Sequence, residues 1–493
     1  MAKHVANRPF TVDVGSFLVT KGAKDWLSRC LTNTEGHETC PKRRTTPRLP
    51  TITIFVGENG SQVRLYNSKN GEQADYIALS YCWGGPQALT TTTETLEKFV
   101  TGLDVSSLPQ TIRDAILTTR SLGINYLWVD ALCILQDSDL DKIHEIDAMG
   151  GYYKNSTLTI AAATASAATG GFLHRRPPLP SCELKLGNGK VFMTRKYKME
   201  RPKEPLYTRA WALQEFLLSP RLLIFGSREV VWQCHSTIAS VLPSPITYDP
   251  SWPCNRLPFI YQSSSEHETS LPQSSHSLSD RDLYNRRSIW GSIVTDYTSR
   301  ALTFPEDRLP ALEGVARELE NVWNDTYIAG MWRSQLLAWL LWKSSSKAKI
   351  CPEGSLRAPS WSWAAVDGVI TFPWASWQRW PMEAKAGAGI LHVDGAVGGQ
   401  LRLFVTIKSL MVVKDVRERQ RECVPRHLVD DDSDIEDDGT LQFVLLGFDV
   451  LGAFGLIVRP MAEPKYERVG MMCTNLPLSL DWWGEEKQAI TII

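Results

Sequence analysis

Four carboxylates, three indole rings and one guanidinium fall near the ends of predicted strands and short helices. They are Asp130, Asp137, Glu145 and Glu215; Trp83, Trp128 and Trp211; and Arg209. A carboxylate held beside a sugar ring can accept hydroxyl hydrogen bonds and stabilise an oxocarbenium-like positive charge. An aromatic face can stack on a flat ring, and an arginine can grip a phosphate through two N–H donors. Ser80 adds a hydroxyl, and Gly84 permits a sharp loop beside Trp83. Every one of these residues also has a plainer role. Asp130 could cap the following segment or pair with Arg113 or Arg209, Asp137 could N-cap a helix, and Glu145 could be a solvated helix carboxylate. Trp83 could be core, and Arg209 with Glu215, flanking Trp211 on one short helix, could form a buried ion pair at the sheet edge.

Other chemistries find weaker support. Cys133 would need a base to act as a nucleophile, and His144 lies eleven residues on. Between Leu132 and Ile134 it reads instead as a small buried hydrophobe. No GxGxxG, P-loop or HExxH pattern occurs, and LGNGK from Leu186 reads as a turn between strands. Cys30, His37 and Cys40 would offer three zinc ligands, but no fourth follows at finger-like spacing, so no metal is expected. The acidic run Asp430 to Asp438 lacks the loop glycine of a calcium-binding EF-hand and reads as a disordered loop.

The elements that must position these groups are legible from periodicity. Tyr76 to Tyr81 is a short apolar strand running into Cys82-Trp83-Gly84-Gly85. Pro109 opens a helix with a buried stripe of Ile112, Ala115, Ile116 and Thr119, and Gly123 stops it. Tyr126 to Val129 is a strand ending at Asp130. A helix over Leu140 to Tyr153 follows, with Ile146, Met149 and Tyr153 on one stripe, and then a strand over Ser156 to Ala162. Strand and helix in alternation predict a parallel sheet with right-handed crossovers. In such sheets ligands bind beyond the carboxyl ends of the strands. Ala210 to Leu218 is helical and closed by Pro220, and Arg221 to Phe225 with Glu229 to Cys234 forms a hairpin around Gly226. Gln262 to Asp280 is a Ser- and His-rich linker. Tyr284 to Trp342 is mostly helical, and Leu401 to Ile407, Leu410 to Val416 and Phe443 to Val458 are strand-like and antiparallel.

Composition narrows the compartment and the partners. The formal net charge is −1 over 493 residues, so no overall field draws in nucleic acid, and no specific nucleic-acid binding is expected. The first fifty residues are locally basic, with nine Lys and Arg against four Asp and Glu, and read as a solvated arm. MAKHVANRPFTVDVG has no apolar core for a signal peptide, and Phe443 to Val458 is too short for a membrane span and contains Asp449. The ten cysteines are scattered without a C-x-x-C pair, as free thiols in a reducing cytoplasm would be. Eighteen tryptophans is a heavy load, most of which belongs in a core.

YIALSYCWGG from Tyr76, LPQTIRDAIL from Leu108, YLWVDALCILQD from Tyr126, EIDAMGGYYKNSTLTIAAA from Glu145 and TRAWALQE from Thr208 together resemble the signature blocks of the fungal heterokaryon-incompatibility (HET) domain. LTFPEDRLPALEGVA from Leu302, YIAGMW from Tyr327, APSWSWAAVDG from Ala358 and YERVG from Tyr466 are similar to the tail that often accompanies it. Leu135 and the Gly150-Gly151 pair depart from its pattern. The resemblance implies a cytoplasmic effector of non-self recognition and regulated cell death, triggered by a protein partner or by self-association. It also implies a likeness to the Toll/interleukin-receptor (TIR) fold, a flavodoxin-like parallel sheet, some members of which cleave NAD at the nicotinamide-ribose bond. On that reading NAD is a substrate, no cofactor is needed, and Glu145, which matches an acidic position of the family, is the first catalytic carboxylate with Asp130 beside it. Ser80, Trp83, Gly84, Asp137, Arg209 and Trp211 would bind substrate. The alternatives are a non-catalytic signalling scaffold that binds a protein partner and, more remotely, an enzyme of specialised metabolism on the same fold. The expected order is an N-terminal basic arm and extension over 1–70, the HET domain over 71–235, a linker over 236–283, and a mixed helical and antiparallel-β region over 284–493.

Overall fold

The computed structural model describes residues 13–34, 36–41, 46–58, 61–177, 182–186, 189–193, 197–199, 204–242, 246–248, 256–261, 280–344, 357–372, 385–386, 388–393, 400–405, 407–409, 440–449, 452–461, 465–474 and 488–492. The chain divides into two compact units, Met1–Leu271 with Pro310–Glu318, and Pro272–Leu309 with Leu319–Ile493.

The first unit is built on an eight-stranded mixed sheet. Its centre is four parallel strands, β3 (Tyr76–Ser80), β4 (Tyr126–Trp128), β5 (Leu158–Ala161) and β9 (Arg221–Phe225). Across the sheet they lie in the order β4-β3-β5-β9, so the chain starts in the middle, steps one way, and returns to continue the other way. β3, β5 and β9 are buried at every residue, as strands covered on both faces must be. Antiparallel strands complete both sides. β1 (Ile52–Phe55) and β2 (Arg64–Asn67) extend the sheet beyond β4, and β10 (Val230–Cys234) and β11 (Ile238–Ser240) extend it beyond β9. Outside the sheet, β6 (Cys182–Leu186) and β7 (Gly189–Met193) pair antiparallel with Leu186 opposite Gly189, and β8 (Tyr197–Met199) pairs in parallel with β12 (Ile246–Tyr248).

The segment before β1 is not simply a solvated arm. Helix α1 (Phe17–Thr32) buries Val19, Ala23, Leu27 and Cys30, and Trp26 stacks on Trp232 of β10 at 6.4 Å. α2 (Leu96–Thr101) is short. α3 (Gln110–Leu122) follows Pro109 and ends at Gly123, and all four residues of its predicted stripe are buried. α4 (Asp130–Cys133) is a single turn directly after β4, and α5 (Asp139–Asn155) is the crossover to β5. α6 (Ala210–Leu218) leads into β9.

The stripe predicted for α5 is corrected at one position. Met149 and Tyr153 are buried, but Ile146 is 37% exposed, because the buried face is set by Glu145, Met149, Gly150 and Tyr153 at i, i+4, i+5 and i+8. The glycine pair on this helix resolves into two different residues. A Cβ at Gly150 would lie 2.9 Å from Gly314 Cα and 3.2 Å from Leu218 Cδ1, whereas at Gly151 it would meet nothing within 4 Å. Gly314 N–H in turn donates to Gln214 Oε1 at 2.8 Å. Gly150→Val is expected to lower stability by about 1–3 kcal/mol through overpacking. Gly151→Ala should raise it by about 0.5–1 kcal/mol, since alanine limits the unfolded chain and favours helix. Urea titration of the two variants checks both signs.

The second unit contains α7 (Asp280–Thr298), the end of α8 (Pro310–Trp323) and α9 (Leu336–Trp339), together with a largely antiparallel eight-stranded sheet from Lys385 onward. The exception to the antiparallel expectation is a short parallel pairing of Lys465 and Tyr466 with Thr491 and Ile492. Its described tryptophans are core. Trp290 and Trp363 both donate to Gly330 O, at 2.9 and 2.8 Å, Trp342 donates to Trp361 O at 3.0 Å, and the Arg468 guanidinium lies 3.5 Å from the Trp342 ring centre. Among the described residues no helix is long and apolar enough to cross a membrane. The Ser-rich stretch 262–279, the strand expected over 410–416 and the acidic run 430–438 lie outside the described residues.

Candidate functional site

The carboxyl ends of β3 and β4 bring Trp83 and Asp130 together. Gly84 makes the exit from β3 with φ +75°, and a Cβ there would lie 2.2 Å from Ala167 Cβ. That close approach lets Ala168 N–H donate to Trp83 O at 3.1 Å, while Gln87 Nε2 donates to the same carbonyl at 2.9 Å. Held in this way, the partly exposed Trp83 ring donates from Nε1 to Asp130 Oδ2 at 2.9 Å. The other carboxylate oxygen, Oδ1, accepts the Ala131 N–H at 2.7 Å where α4 begins. Gly84→Val should dislodge this loop, since neither the backbone angle nor Ala167 accommodates a side chain. Fluorescence of Trp83, read against a Trp83→Phe reference, would report the shift.

Arg209 and Glu215 close the site from α6. Arg209 is the residue before the helix, and its Nη1 donates to Tyr81 O at the end of β3. Glu215 is 3% exposed, two turns further on. Burial pushes the Asp130 carboxyl above its ordinary value, and the Arg209 cation and the Trp83 N–H pull it part of the way back. Glu215 is also pushed up by burial and held down by Arg209 and the nearby Ser80 hydroxyl. Burial opposes the charge on Arg209, yet Glu215 and Asp130 outweigh it and leave the guanidinium held more firmly protonated than usual. One cation therefore serves two carboxylates. Tyr81 and Tyr153 lie against the group with hydroxyls pushed well up by burial, and Tyr153 donates to Leu79 O at 3.0 Å. The buried Ser80 and Tyr81 hydroxyls stand near Glu215 and Asp130, respectively, without closing a hydrogen bond of ordinary geometry.

Among the residues expected from sequence, Ser80, Trp83, Gly84, Asp130 and Arg209 meet here, with Glu215 added. Of the two arginines expected near Asp130, Arg209 is the cation that lowers its carboxyl. Trp211 is partly exposed on the first turn of α6. Glu145 has other partners. It is 1% exposed, accepts from the Tyr152 hydroxyl at 2.8 Å, and has His144 Nδ1 at 3.2 Å. It also lies six residues into α5, about 9 Å along the axis from the helix start. Asp137 accepts Thr93 N–H at 2.9 Å and the Thr93 hydroxyl at 2.7 Å, which lowers its pKa and ties the α4–α5 loop to the segment before α2. The N-cap of α5 is Ser138, not Asp137. Trp128 is no stacking surface; it is fully buried between Tyr152 and Tyr153. Cys133 is fully buried, its thiol is pushed up by burial, and its Sγ accepts the Val129 N–H at 3.4 Å, which suits packing and not attack.

Tyr81 and Tyr153 are expected from sequence as a strand end and a buried helix position, not as members of the site. Tyr81 sits between Ser80 and Cys82 in the same block, and Tyr153 is eight residues after Glu145 on the buried face of α5. Both were therefore readable as neighbours of the site once the strand and helix were assigned. Chemically, the arrangement offers a fixed carboxylate beside a partly exposed indole in a low-dielectric edge. It is poorly suited to a metal, because a cation at Asp130 would meet the Arg209 charge.

The family described as heterokaryon incompatibility protein (HET) matches residues 76–215, which run from the first residue of β3 to Glu215. Neither the curated proteins nor the solved structures contain a match to the chain.

Proposed function

We propose that this chain, whose residues 76–215 are a HET domain, is a cytoplasmic effector of fungal non-self recognition and regulated cell death that cleaves NAD at the nicotinamide-ribose bond. The observation that carries the catalytic part is the Trp83–Asp130 pair at the carboxyl edge of the parallel strands, kept ionisable by Arg209. The order β4-β3-β5-β9 supports a TIR- or flavodoxin-like reading, because counted along the chain it is second, first, third, fourth. In sheets of that order the ligand crevice lies where the direction of winding reverses, here between β3 and β5, beyond their carboxyl ends.

In this mechanism Trp83 stacks on the nicotinamide ring, and Asp130 accepts a ribose hydroxyl and steadies the positive charge that builds on the ribose. The bond between C1′ and the ring nitrogen breaks with its electron pair leaving on nicotinamide, which departs neutral. Water then bonds to C1′, and its proton passes to Asp130 or solvent, giving ADP-ribose. Arg209 is a positioning residue that favours the charged form of Asp130. Glu145, held by Tyr152 deeper along α5, is a structural support in this account.

A second reading has its own observation. Leu140 is 83% and Ile143 68% exposed on the outer face of α5, and with Ile146 they make an apolar stripe at i, i+3 and i+6. A non-catalytic module would use such a stripe to bind a protein partner. In the catalytic reading the same stripe is where a partner or a second copy triggers activity. Induced expression of wild-type and Asp130→Asn chains in a fungal host separates the two. Loss of viability with falling cellular NAD, both abolished by Asp130→Asn, supports the catalytic reading. Death that persists in the variant with NAD unchanged supports the scaffold.

A further inference from the structure

At the opposite edge of the same sheet, four residues that no catalytic step uses converge. Cys30 lies in the last turn of α1, His37 and Cys40 follow in the next loop, and Cys234 is the last residue of β10. Their ligand atoms, three Sγ and one imidazole nitrogen, all lie within 4.8 Å of one another. All four side chains are buried, at 0%, 1%, 4% and 2% exposure for Cys30, His37, Cys40 and Cys234. The three cysteines are free thiols. We propose that Cys30, His37, Cys40 and Cys234 form a structural tetrahedral zinc site that clamps the N-terminal helix and loop onto the HET-domain sheet.

The distances match the metal. With Zn–S near 2.3 Å and Zn–N near 2.0–2.1 Å, a tetrahedron places nitrogen about 3.6 Å from each sulfur. His37 Nδ1 lies 3.6 Å from Cys40 Sγ and 3.4 Å from Cys234 Sγ. Four protein ligands in a dry pocket leave no position for substrate, which is the mark of a structural site.

The surroundings also fit a thiolate-rich centre. Zinc with three thiolates and one imidazole carries one net negative charge. Arg221, 5% exposed, donates from Nε to Cys30 Sγ at 3.1 Å and from its Nη atoms to Thr157 O and Pro41 O, both at 3.3 Å. Arg221 begins β9 and stands opposite Cys234 in the hairpin register, so the counter-charge and one ligand come from the same rung. Ser236 Oγ lies 3.2 Å from Cys40 Sγ and 2.7 Å from Thr39 Oγ1. Asn33 Nδ2 donates to Cys40 O at 3.2 Å, and the His37 ring meets Trp26 edge-on at 5.8 Å. Such outer contacts fix ligand orientation and offset the charge.

This centre explains why spacing alone stops at three ligands. A finger places its ligands in one short segment, whereas here the fourth arrives from the far side of the HET domain. Binding should release thiol protons and be inseparable from docking of the N-terminal segment.

The test uses the full chain, purified under reducing conditions, incubated with one equivalent of zinc and dialysed. Elemental analysis is expected to find one zinc per chain, with at least a tenfold lower content in Cys234→Ser and His37→Ala. His37→Cys should retain the metal, since it restores four soft ligands. Because a ligand variant could fail to fold, cobalt is also loaded into the wild-type chain. Intense visible bands of tetrahedral cobalt with thiolate charge transfer are the expected outcome. Less than about a tenth of a zinc per folded wild-type chain, or the weak spectrum of octahedral cobalt, overturns the assignment.

Discussion

Arg209→Met is expected to destabilise the protein by about 3 kcal/mol at neutral pH, toward the low end for breaking a buried ion cluster because Asp130 and Arg209 keep some solvent contact. The substitution leaves Asp130 and Glu215 facing one another without the cation that favours both charges. It also removes the donor to Tyr81 O. The loss should depend on pH in a definite sense. Both carboxyls already have folded pKa values raised by burial. A raised group contributes stability that is present below its unfolded value and lost as pH rises through the folded one. Without Arg209 both values rise further, so the variant should recover stability as the pH is lowered from neutrality toward the ordinary carboxyl range. Urea midpoints at about pH 7.5 and pH 5 read this directly. Adding Glu215→Gln to Arg209→Met should return part of the lost stability, because it removes one of the two orphaned charges.

Asp130→Asn is expected to reduce NAD cleavage by about a hundredfold or more while leaving the fold intact. Aspartate and asparagine have the same shape, and the amide oxygen can keep one of the two N–H donors, that of Trp83 or that of Ala131. What disappears is the negative charge facing the ribose, and a preorganised charge in a dry site is worth roughly 3–4 kcal/mol of transition-state stabilisation. The Arg209 cation would then repel the charge developing on the sugar, which adds to the loss. The effect should fall on kcat with little change in KM, since the charge acts when the glycosidic bond breaks. By contrast, Glu145→Gln should retain most of the turnover, because that carboxylate is engaged by Tyr152.

Much of the first unit was legible because local and global signals agree. The buried runs at Tyr76 and Leu158 could only be strands covered on both faces, and Pro109 with Gly123 bracketed α3 to the residue. The Trp83–Asp130 meeting followed from placing both at strand ends. The partners of the two carboxylates did not follow. Glu145 and Asp130 both sit next to the same loop in sequence, but a strand end lies at the edge whereas a position six residues into a helix has already descended from it. Ile146 was assigned to the core face because a three-residue step was counted from it, and Glu145 took that face instead. The Gly150 contact depended on Gly314, and the zinc ligands on a cysteine beyond the whole domain. No local pattern carries such long-range pairings. They are set by sheet order, which only the fold supplies.

Nicotinamide release measured chromatographically, from full-length wild-type and Asp130→Asn chains incubated with NAD over a range of protein concentrations, tests the central claim most directly. Time-dependent release by the wild type, rising with self-association and lost in folded Asp130→Asn, is the predicted result. Equal release by both chains, or none from folded wild type at any concentration, would contradict it.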